Sequence, residues 1–514
     1  MWHKLLIYFH TVRYLKLVQV YYRLYYFFIN KWGVKPGFGR LLHKEAFLLD
    51  FTFKHSSRSY LGNKTFCFLN ITHAFPKEIN WEISAYGKLW QYNLCYFEFL
   101  NSNISKNEGL DLIHSFMGSR NELQSALEPY PISLRTINWI RFFSKNKIKE
   151  GPYIDFLFEQ VELLGKRVEY HILGNHLLEN AFAIYMAGVF FNERKYIDIG
   201  KRLIGSQLKE QILPDGAHFE QSPMYHQLIL FRVLECLDIQ HEKDEFIDLL
   251  KNYAAKMLGW LNAITFTNGD IPLVNDAAVG IAPTTAELNG FADLLQVQEE
   301  CVQPGVSGYR MVRKSNYECF TDVGGVMATY QPGHTHADAL SFILYINNKP
   351  ILVDGGTSTY TIGERRQLER STISHNTVTI DSKNQSQVWG GFRVARRAEV
   401  EVIKEQTDNI VSSHTGYGVK HTRSFLFSDK VEIIDTFDNR QQLCEAHFHF
   451  HPEVTPLLVG KDVEFEQGNI CFENATTVDK ETYLYAEAFN KTVKGIKLKV
   501  SFRNYLRIGI TTSK

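Results

Sequence analysis

The stretch YIDFLFEQVELLGKRVEYHILGNHLLENAFAIYMAGVFF, residues 153–191, decides the fold of the first half of the chain. Its apolar residues recur at intervals of three and four, which is the spacing of an amphipathic helix. The same spacing returns in FIDLLKNYAAKMLGWLNAIT, residues 246–265, and polar breaks such as NERK and LPDG separate the segments. The pattern predicts a run of antiparallel helices over residues 85–304.

The pattern changes after VQPGVSGY, residues 302–309. From there the apolar residues alternate in short β-rich stretches, bounded by turn signals at Asn347-Asn348 and Asp381-Ser382. The stretches are GGVMATY, LSFILYINNKPILVDGG, HNTVTID, VEIIDTFD and KLKVSFRNYLRIGITT. Short alternating strands joined by tight turns favour an antiparallel β-sandwich, which we expect over residues 305–514.

The N-terminal part, residues 1–84, begins with the aromatic and basic segment MWHKLLIYFHTVRYLKLVQVYYRLYYFFINKW. Charged side chains interrupt each apolar run before it reaches the length of a membrane span. We expect an amphipathic helix that packs its apolar stripe on the body of the protein, with contact to a membrane surface as the alternative. No small-residue cleavage site follows, so the expected compartment is the cytoplasm, or the periplasm if a leader has been removed.

Composition excludes several classes of protein. The 514 residues are 45% hydrophobic, which is enough for two or three domains with full cores. The 56 Lys and Arg residues balance the 56 Asp and Glu residues, so no net charge attracts nucleic acid, and an anionic ligand must be bound by a local site. Seven scattered cysteines without a CxxC pair argue against a disulfide framework and against a thiolate zinc site.

Two polar clusters interrupt the helical half. GNHLLEN is expected in the middle of a long apolar helix, where Asn175, His176 and Glu179 share one face. A hydrogen-bonded core cluster is the alternative interpretation, because buried polar groups must find partners. PDGAHFEQSPMYHQ is expected to form a loop that points Tyr225 into a cleft, with simple packing of the ring as the alternative.

A third polar cluster lies in the β-rich half. QPGHTHADALSF places two histidines one residue apart, and in an extended segment His334 and His336 face the same way about 7 Å apart. Downstream, ILVDGGTSTY supplies Asp354 and RSTISHNTV supplies His375. Two imidazoles with a carboxylate suit zinc or a similar divalent ion. The spacings of 18 and 21 residues match no local metal motif, so three separately hydrogen-bonded residues are the alternative.

Six motifs together resemble one protein family. GNHLLEN, DGAHFEQSPMYHQ, NGDIPLVNDAA, GHTHADALSF, VDGGTSTY and RSTISHNTV, in this order, are similar to the heparinase II/III family of polysaccharide lyases over roughly residues 85–400. The resemblance implies an incomplete (α/α) toroid of helix hairpins followed by an antiparallel β-sandwich, with the catalytic cleft between them. That architecture agrees with the change of pattern near residue 305.

The resemblance also implies residue roles. It gives His336, Asp354 and His375 a structural metal ion, usually zinc, while His334 faces the substrate. It implies that five further residues line the cleft: Asn175 and His176 at the uronic acid carboxylate, Glu179 as a supporting acid, Tyr225 as the catalytic tyrosine, and Tyr360 as a second tyrosine.

These residue types suit β-elimination from a 4-linked uronic acid in a glycosaminoglycan-like or alginate-like polysaccharide. Removal of the C5 proton requires neutralisation of the adjacent carboxylate, which donors such as Asn175 and a histidine provide. A base then takes the proton while an acid protonates the O4 leaving group. A tyrosine can serve either role, although its ordinary pKa of about 10 means that it needs neighbouring donors or cations to act as a base.

Other functions stay open at this point. A uronyl C5-epimerase shares proton abstraction but returns a proton to C5, and a non-catalytic carbohydrate-binding or assembly protein could keep the same scaffold. A glycoside hydrolase needs two carboxylates across a cleft, for which Glu179 and Glu220 are candidates without supporting context. The lack of a visible signal peptide favours a role in making or trimming a capsule or exopolysaccharide.

Overall fold

The computed structural model describes residues 2–31, 44–240, 244–438 and 443–513. Helices dominate the chain up to residue 294 and strands dominate it from residue 309. The helices are α1 (Trp2–Val12), α2 (Leu17–Lys31), α3 (Lys88–Tyr96), α4 (Lys106–Gly118), α5 (Pro129–Lys145), α6 (Pro152–Lys166), α7 (Gly174–Phe190), α8 (Arg194–Gln211), α9 (Pro223–Asp238), α10 (Glu245–Ile264), α11 (Thr285–Leu294) and α12 (Glu364–Glu369).

A short hairpin, β1 (Thr65–Phe68) and β2 (Ile71–Ala74), precedes the main helical array. The later strands are β3 (Tyr309–Arg313), β4 (Tyr317–Asp322), β5 (Phe342–Ile346), β6 (Lys349–Leu352), β7 (Val378–Ile380), β8 (Val388–Trp389), β9 (Arg393–Val394), β10 (Val400–Gln406), β11 (Asn409–His414), β12 (His421–Phe427), β13 (Val431–Phe437), β14 (Leu443–His449), β15 (Leu457–Val459), β16 (Asp462–Phe465), β17 (Gly468–Ala488) and β18 (Lys491–Thr512).

The helical half is an array in which helices close in sequence pack side by side. Helix α7 packs on α5 and α8, and α9 packs on α10. The large side chains of Trp139, Phe182 and Leu230 are fully buried in one continuous apolar core, which is what the spacing of three and four predicts. The expected run of helices is confirmed, with α3 to α11 lying between residues 88 and 294.

The β half contains two antiparallel sheets. The larger sheet has the order β10-β11-β12-β13-β18-β17-β16-β15, with β14 and β7 joined to it through β18, and the smaller has the order β3-β4-β5-β6. Alternate residues of β12 and β13 are buried, because successive side chains point to opposite faces of a strand. Leu344 from the small sheet and Phe425 from the large sheet share a core, which confirms the predicted β-sandwich.

One predicted hairpin and one incorrect strand illustrate the local rules. Asn347 and Asn348 have φ of 50° and 62°, the left-handed values that a tight two-residue hairpin turn needs, and they join β5 to β6. GGVMATY was expected to form a strand, but residues 324–330 form an irregular loop. The loop is held instead by the helical half, since the Met327 backbone N–H donates to Gln221 Oε1 (3.0 Å).

The N-terminal segment forms two helices where one was expected. The chain turns between α1 and α2, and the Lys16 backbone N–H donates to Gln19 Oε1 (3.0 Å), which is half of a capping box at the start of α2. The buried Gln19 side chain also donates to the carbonyl of Ile172 (3.0 Å), so α2 packs on the body as predicted. Across the described residues, we find no helix that is both long and apolar enough to span a membrane.

Candidate active site

The site begins at the first turn of α7, not in the middle of a long helix. Leu173 and Gly174 both have positive φ (67° and 59°), so α6 and α7 are separate helices and Asn175 lies at the start of α7. Glu220 Oε1 accepts the Asn175 backbone N–H (3.0 Å), which places a carboxylate at the positive end of the helix. A Cβ atom on Gly174 would lie 2.4 Å from that oxygen, so the carboxylate contact and the positive φ both favour glycine here.

The amide of Asn175 is aimed at the cleft by the same carboxylate. Asn175 Nδ2 donates to Glu220 Oε2 (2.7 Å) and lies 3.4 Å from His334 Nε2. Asn175 is buried, and both contacts come from loops that are distant in sequence. The structure therefore brings together one predicted residue from the helical half and one from the β half, and it adds Glu220 as the group that orients the amide.

The two predicted tyrosines meet above His334. Tyr225 lies in the first turn of α9, where Pro223 starts the helix and Ser222 Oγ accepts the Tyr225 backbone N–H (3.4 Å). The hydroxyls of Tyr225 and Tyr360 are 3.2 Å apart. The ring centroids of Tyr225 and His334 are 3.9 Å apart. Burial raises the pKa of Tyr225 above its usual range, so the phenol is protonated at neutral pH.

Asp276 is the hub of the cluster, and no role was predicted for it. Asp276 Oδ2 lies 2.9 Å from His334 Nδ1 and Asp276 Oδ1 lies 2.9 Å from His336 Nε2. The two histidines expected to serve different purposes therefore bind the same carboxylate. Burial alone would raise the pKa of Asp276, but Arg366 and the two histidines hold that pKa well below its usual range. The carboxylate is an anion that fixes both imidazole rings.

Arg366 completes this hub from α12. Its guanidinium donates to both oxygens of Asp276, with Nη2 2.6 Å from Oδ2. The same guanidinium lies over the Tyr360 ring, 5.0 Å from the centroid, and so supports the second tyrosine. Asp276 lies in the motif NGDIPLVNDAA, but Arg366 lies between two motifs, and neither NDAA nor ERRQ matches a catalytic spacing.

His176 lies at the edge of the cleft. Its side chain is 30% exposed, its Nδ1 is 3.2 Å from Glu169 Oε1, and its ring packs on Tyr130 with 4.6 Å between centroids. Burial lowers the pKa of His176, but the Glu169 carboxylate outweighs burial and the net pKa is raised. The imidazole therefore favours the cationic form that an anionic ligand needs.

Glu179 is not grouped with the other predicted cleft residues. Its carboxylate accepts a hydrogen bond from Arg232 Nε (3.1 Å), and Arg232 also contacts Glu235 on the same helix. Asn175 and Glu179, which were expected to share a face, have different partners because Asn175 lies at the helix start and binds Glu220. The position of Glu179 favours a structural ion pair.

The predicted metal ligands lie beside this cluster. His375 Nδ1 is 2.6 Å from Asp354 Oδ2, and the ring centroids of His336 and His375 are 5.3 Å apart. His336 Nδ1, His375 Nε2 and Asp338 Oδ2 are buried and have no hydrogen-bond partner among the residues that the structure describes. Within the described ranges, however, no group of three or more His, Cys, Asp or Glu side chains is close enough to hold a metal ion in this arrangement.

Comparisons with known structures define the fold class. The chain superposes on the crystal structure of heparinase III with a TM-score of 0.68 and 17% identity, covering 84% of this chain and 79% of that chain. At this level of identity the likeness shows a shared fold, in which a helical toroid precedes an antiparallel β-sandwich.

Sequence comparisons define the family. Residues 131–300 match the heparinase II/III N-terminus and residues 302–510 match the heparinase II/III-like C-terminal region, so the chain belongs to the heparinase II/III family. It is 24% identical over 377 residues to a heparin-sulfate lyase of Bacteroides stercoris and 23% identical over 400 residues to one of Bacteroides thetaiotaomicron. These alignments cover 65% and 66% of this chain but only 55% and 56% of the relatives. The chain thus spans about half the length of the curated relatives it matches.

Proposed function

We propose that the protein is a polysaccharide lyase that cleaves a 4-linked, uronic-acid-containing polysaccharide by β-elimination. The observation that carries the proposal is the convergence of Asn175, His334 and Tyr225 on one cleft, with Asp276 fixing the histidine. The heparin-sulfate lyase names of the Bacteroides relatives support a glycosaminoglycan as the substrate class.

The first step needs the uronate carboxylate to be neutralised so that the C5 proton becomes acidic. Asn175 presents an oriented amide N–H, and His176, with its raised pKa, presents a positive charge at the cleft edge. Donors fixed before the substrate arrives stabilise the developing enediolate without reorganisation, and one such donor is worth about 10²–10³ in rate. Glu220 and Glu169 hold these two groups in place.

The proton transfers divide between His334 and Tyr225. Because His334 Nδ1 faces the Asp276 anion, that nitrogen carries the proton and Nε2 keeps a lone pair, which suits a general base for C5. Tyr225 is protonated, so it suits the general acid that delivers a proton to O4. Tyr360, 3.2 Å from the Tyr225 hydroxyl, orients that donor and stabilises the phenolate left behind.

We also propose a divalent ion, zinc first, held by His336, Asp354 and His375. Two buried ring nitrogens without partners and the adjacent carboxylates are the donors that zinc prefers. His375 Nδ1 lies 2.6 Å from Asp354 Oδ2, so the imidazole and the carboxylate already lie together, and the ion would be held through His375 Nε2 and a carboxylate oxygen of Asp354. The role of the ion is structural, since it would fix the loop that carries His334 into the cleft.

The names of the relatives, which are heparin-sulfate lyases, favour elimination over C5-epimerisation. The protonated Tyr225 does not separate the two reactions, because it can return a proton to O4 or to C5. A non-catalytic carbohydrate-binding role does not need a pair of tyrosine hydroxyls beside the His334 imidazole. We therefore keep the lyase as the proposed function.

The test is incubation with glycosaminoglycan and alginate polymers in deuterated water. A lyase yields shorter chains with an unsaturated end, detected by ultraviolet absorbance, and little deuterium in intact residues. Full-length polymer labelled at C5 would overturn the proposal in favour of an epimerase. Unlabelled, unshortened polymer across the whole panel would favour a binding protein.

A further inference from the structure

The first two helices are apolar on the side that faces away from the protein as well as on the side that faces it. On α2, Leu17, Tyr21 and Leu24 are 87, 61 and 55% exposed, and they follow the i, i+4, i+7 spacing of one helix face. On α1, Leu5 and Phe9 are 54 and 62% exposed. An amphipathic surface helix normally turns polar residues to water, so this outward stripe indicates a second apolar surface.

The opposite face of α2 is already occupied by the protein. Gln19 is fully buried and donates to the carbonyl of Ile172 (3.0 Å), while the Tyr26 hydroxyl donates to the carbonyl of Val168 (3.0 Å). Tyr22 stacks on Tyr170 with 4.8 Å between ring centroids. Docking to the body therefore does not explain the outward stripe, which none of the described residues covers.

Charge decides what covers the outward stripe. Eight Lys and Arg residues precede the first acidic residue of the sequence, Glu45, although the whole chain is neutral. Two of them, Lys16 and Lys44, form ion pairs with acidic side chains of the body. Lys4 and Arg13 are exposed and can meet an anionic surface. Two copies of this segment would repel one another, whereas an anionic bilayer would attract it. Aromatic and leucine side chains among basic residues are the composition of helices that lie in the headgroup region of a membrane.

We infer that α1 and α2 dock the protein on an anionic membrane surface, with the outward stripe immersed in the headgroup region and the exposed Lys4 and Arg13 against the lipid phosphates. The inference does not depend on the proposed lyase activity. It has a consequence for the cleft, because α2 holds the carbonyl of Ile172, three residues before Asn175. The active-site cleft would open beside the bilayer.

The test is co-sedimentation of the whole chain with lipid vesicles. We expect binding to vesicles in which about a third of the lipid is phosphatidylglycerol to be at least about tenfold stronger than binding to pure phosphatidylcholine, and to weaken at high salt. Equal binding to the two vesicles, or no sedimentation with either, would overturn the inference. This comparison uses the unmodified protein and so does not depend on a variant that folds.

A matched pair of variants identifies the surface. Leu17→Gln, Tyr21→Gln and Leu24→Gln together keep helix propensity and should lower vesicle binding by about tenfold or more. The control changes exposed apolar residues of the β half, Ile403→Thr, Leu457→Thr and Val459→Thr, and should leave binding unchanged. Unchanged binding in the helix variant would refute the assignment. A different result would be a parent that forms a dimer, which the helix variant does not form, and that binds no vesicles. That result would show that the outward stripe binds a second copy of the chain, and it would refute the membrane inference.

Discussion

Two buried carboxylates in this protein have nearly the same partners. Asp276 binds His334, His336 and the guanidinium of Arg366 at the cleft. Asp435, inside the large sheet, binds His421 Nε2 (2.7 Å) and both Nε and Nη2 of Arg423 (2.7 and 2.9 Å). In both clusters a bidentate arginine and an imidazole stabilise a fully buried anion.

The difference between the clusters lies in what the second imidazole nitrogen faces. In the sheet cluster, His421 Nδ1 is 3.1 Å from His414 Nε2, and every member is sealed in the core. In the cleft cluster, His334 Nε2 lies near Asn175 and the His334 ring packs on Tyr225. The comparison teaches that a carboxylate–imidazole–arginine cluster is not by itself a catalytic signal, and that access and a neighbouring proton donor decide its role.

The largest effect is expected from removing the Tyr225 hydroxyl, the proton donor that distinguishes the cleft cluster. Tyr225→Phe keeps the ring packing, so we expect unchanged thermal unfolding and a loss of turnover of about 10²–10⁴-fold. Tyr483→Phe is the control, because it removes a half-buried phenol that donates to the Phe450 carbonyl in the β half (2.7 Å), and it should keep turnover. Parent-like rates in the Tyr225 variant would end the assignment.

Replacing each of the two buried carboxylates by an amide tests the comparison directly. Asp276→Asn and Asp435→Asn should each destabilise the fold by about 3–5 kcal/mol, since each leaves a buried arginine without its anion. Only Asp276→Asn should also lower kcat per folded molecule, because only that carboxylate orients the proposed base, His334. The measurements are urea unfolding and kcat normalised to the folded fraction. An equal loss of kcat in both variants would contradict the distinction between the two clusters.

The next effect concerns the proposed ion. His336→Ala should lose bound zinc, measured by elemental analysis, and lower stability by about 2.7 kcal/mol at an ion concentration of 100 Kd for the parent. His421→Ala is the comparison, since it removes a histidine of the sheet cluster and should keep the metal content. A metal-free parent protein, or a His336 variant that keeps its zinc, would refute the site.

The smallest effect is the pH dependence of the sheet cluster. Burial alone would raise the pKa of Asp435, but Arg423 and His421 lower it to about 2, below the value of about 3.9 in an unfolded chain. A depressed folded-state pKa adds stability that is present above about pH 4 and is lost as pH falls toward 2. The parent should therefore lose about 2 kcal/mol more than Asp435→Asn over that window, as read from urea midpoints. If the urea midpoints of the parent and of Asp435→Asn change in parallel with pH, the pKa of Asp435 is not depressed.

The sequence allowed the fold to be predicted wherever the determinant was local. Helix spacing and the Asn347-Asn348 turn each specify their own structure, and both predictions are confirmed. The start of α7 could not be predicted, because it depends on Gly174 at φ 59° and on Glu220, which comes from a loop 46 residues away. Short-range sequence patterns contain no information about a carboxylate that reaches the start of a helix from a distant loop.

The same reasoning explains the predicted and missed site residues. Asn175, Tyr225 and His334 were found because their motifs occur in a recognisable order, and the structure brings these three together. Asp276 and Arg366 were missed, since their chemistry arises only when segments 90 residues apart meet. The roles of all these residues, and the proposed ion at His336, Asp354 and His375, stay predictions.

Strand β18 has a consequence for how the molecule is made. It pairs with β13, β14 and β17, so the strand at the centre of the large sheet is also the last to be synthesised among those described. The helical half can bury its core while the ribosome is still translating the β half, but the sheet cannot close until residues 491–512 emerge. Such long-range pairing is slow and leaves strand edges open meanwhile, so we expect nascent chains to depend on chaperones at this late stage.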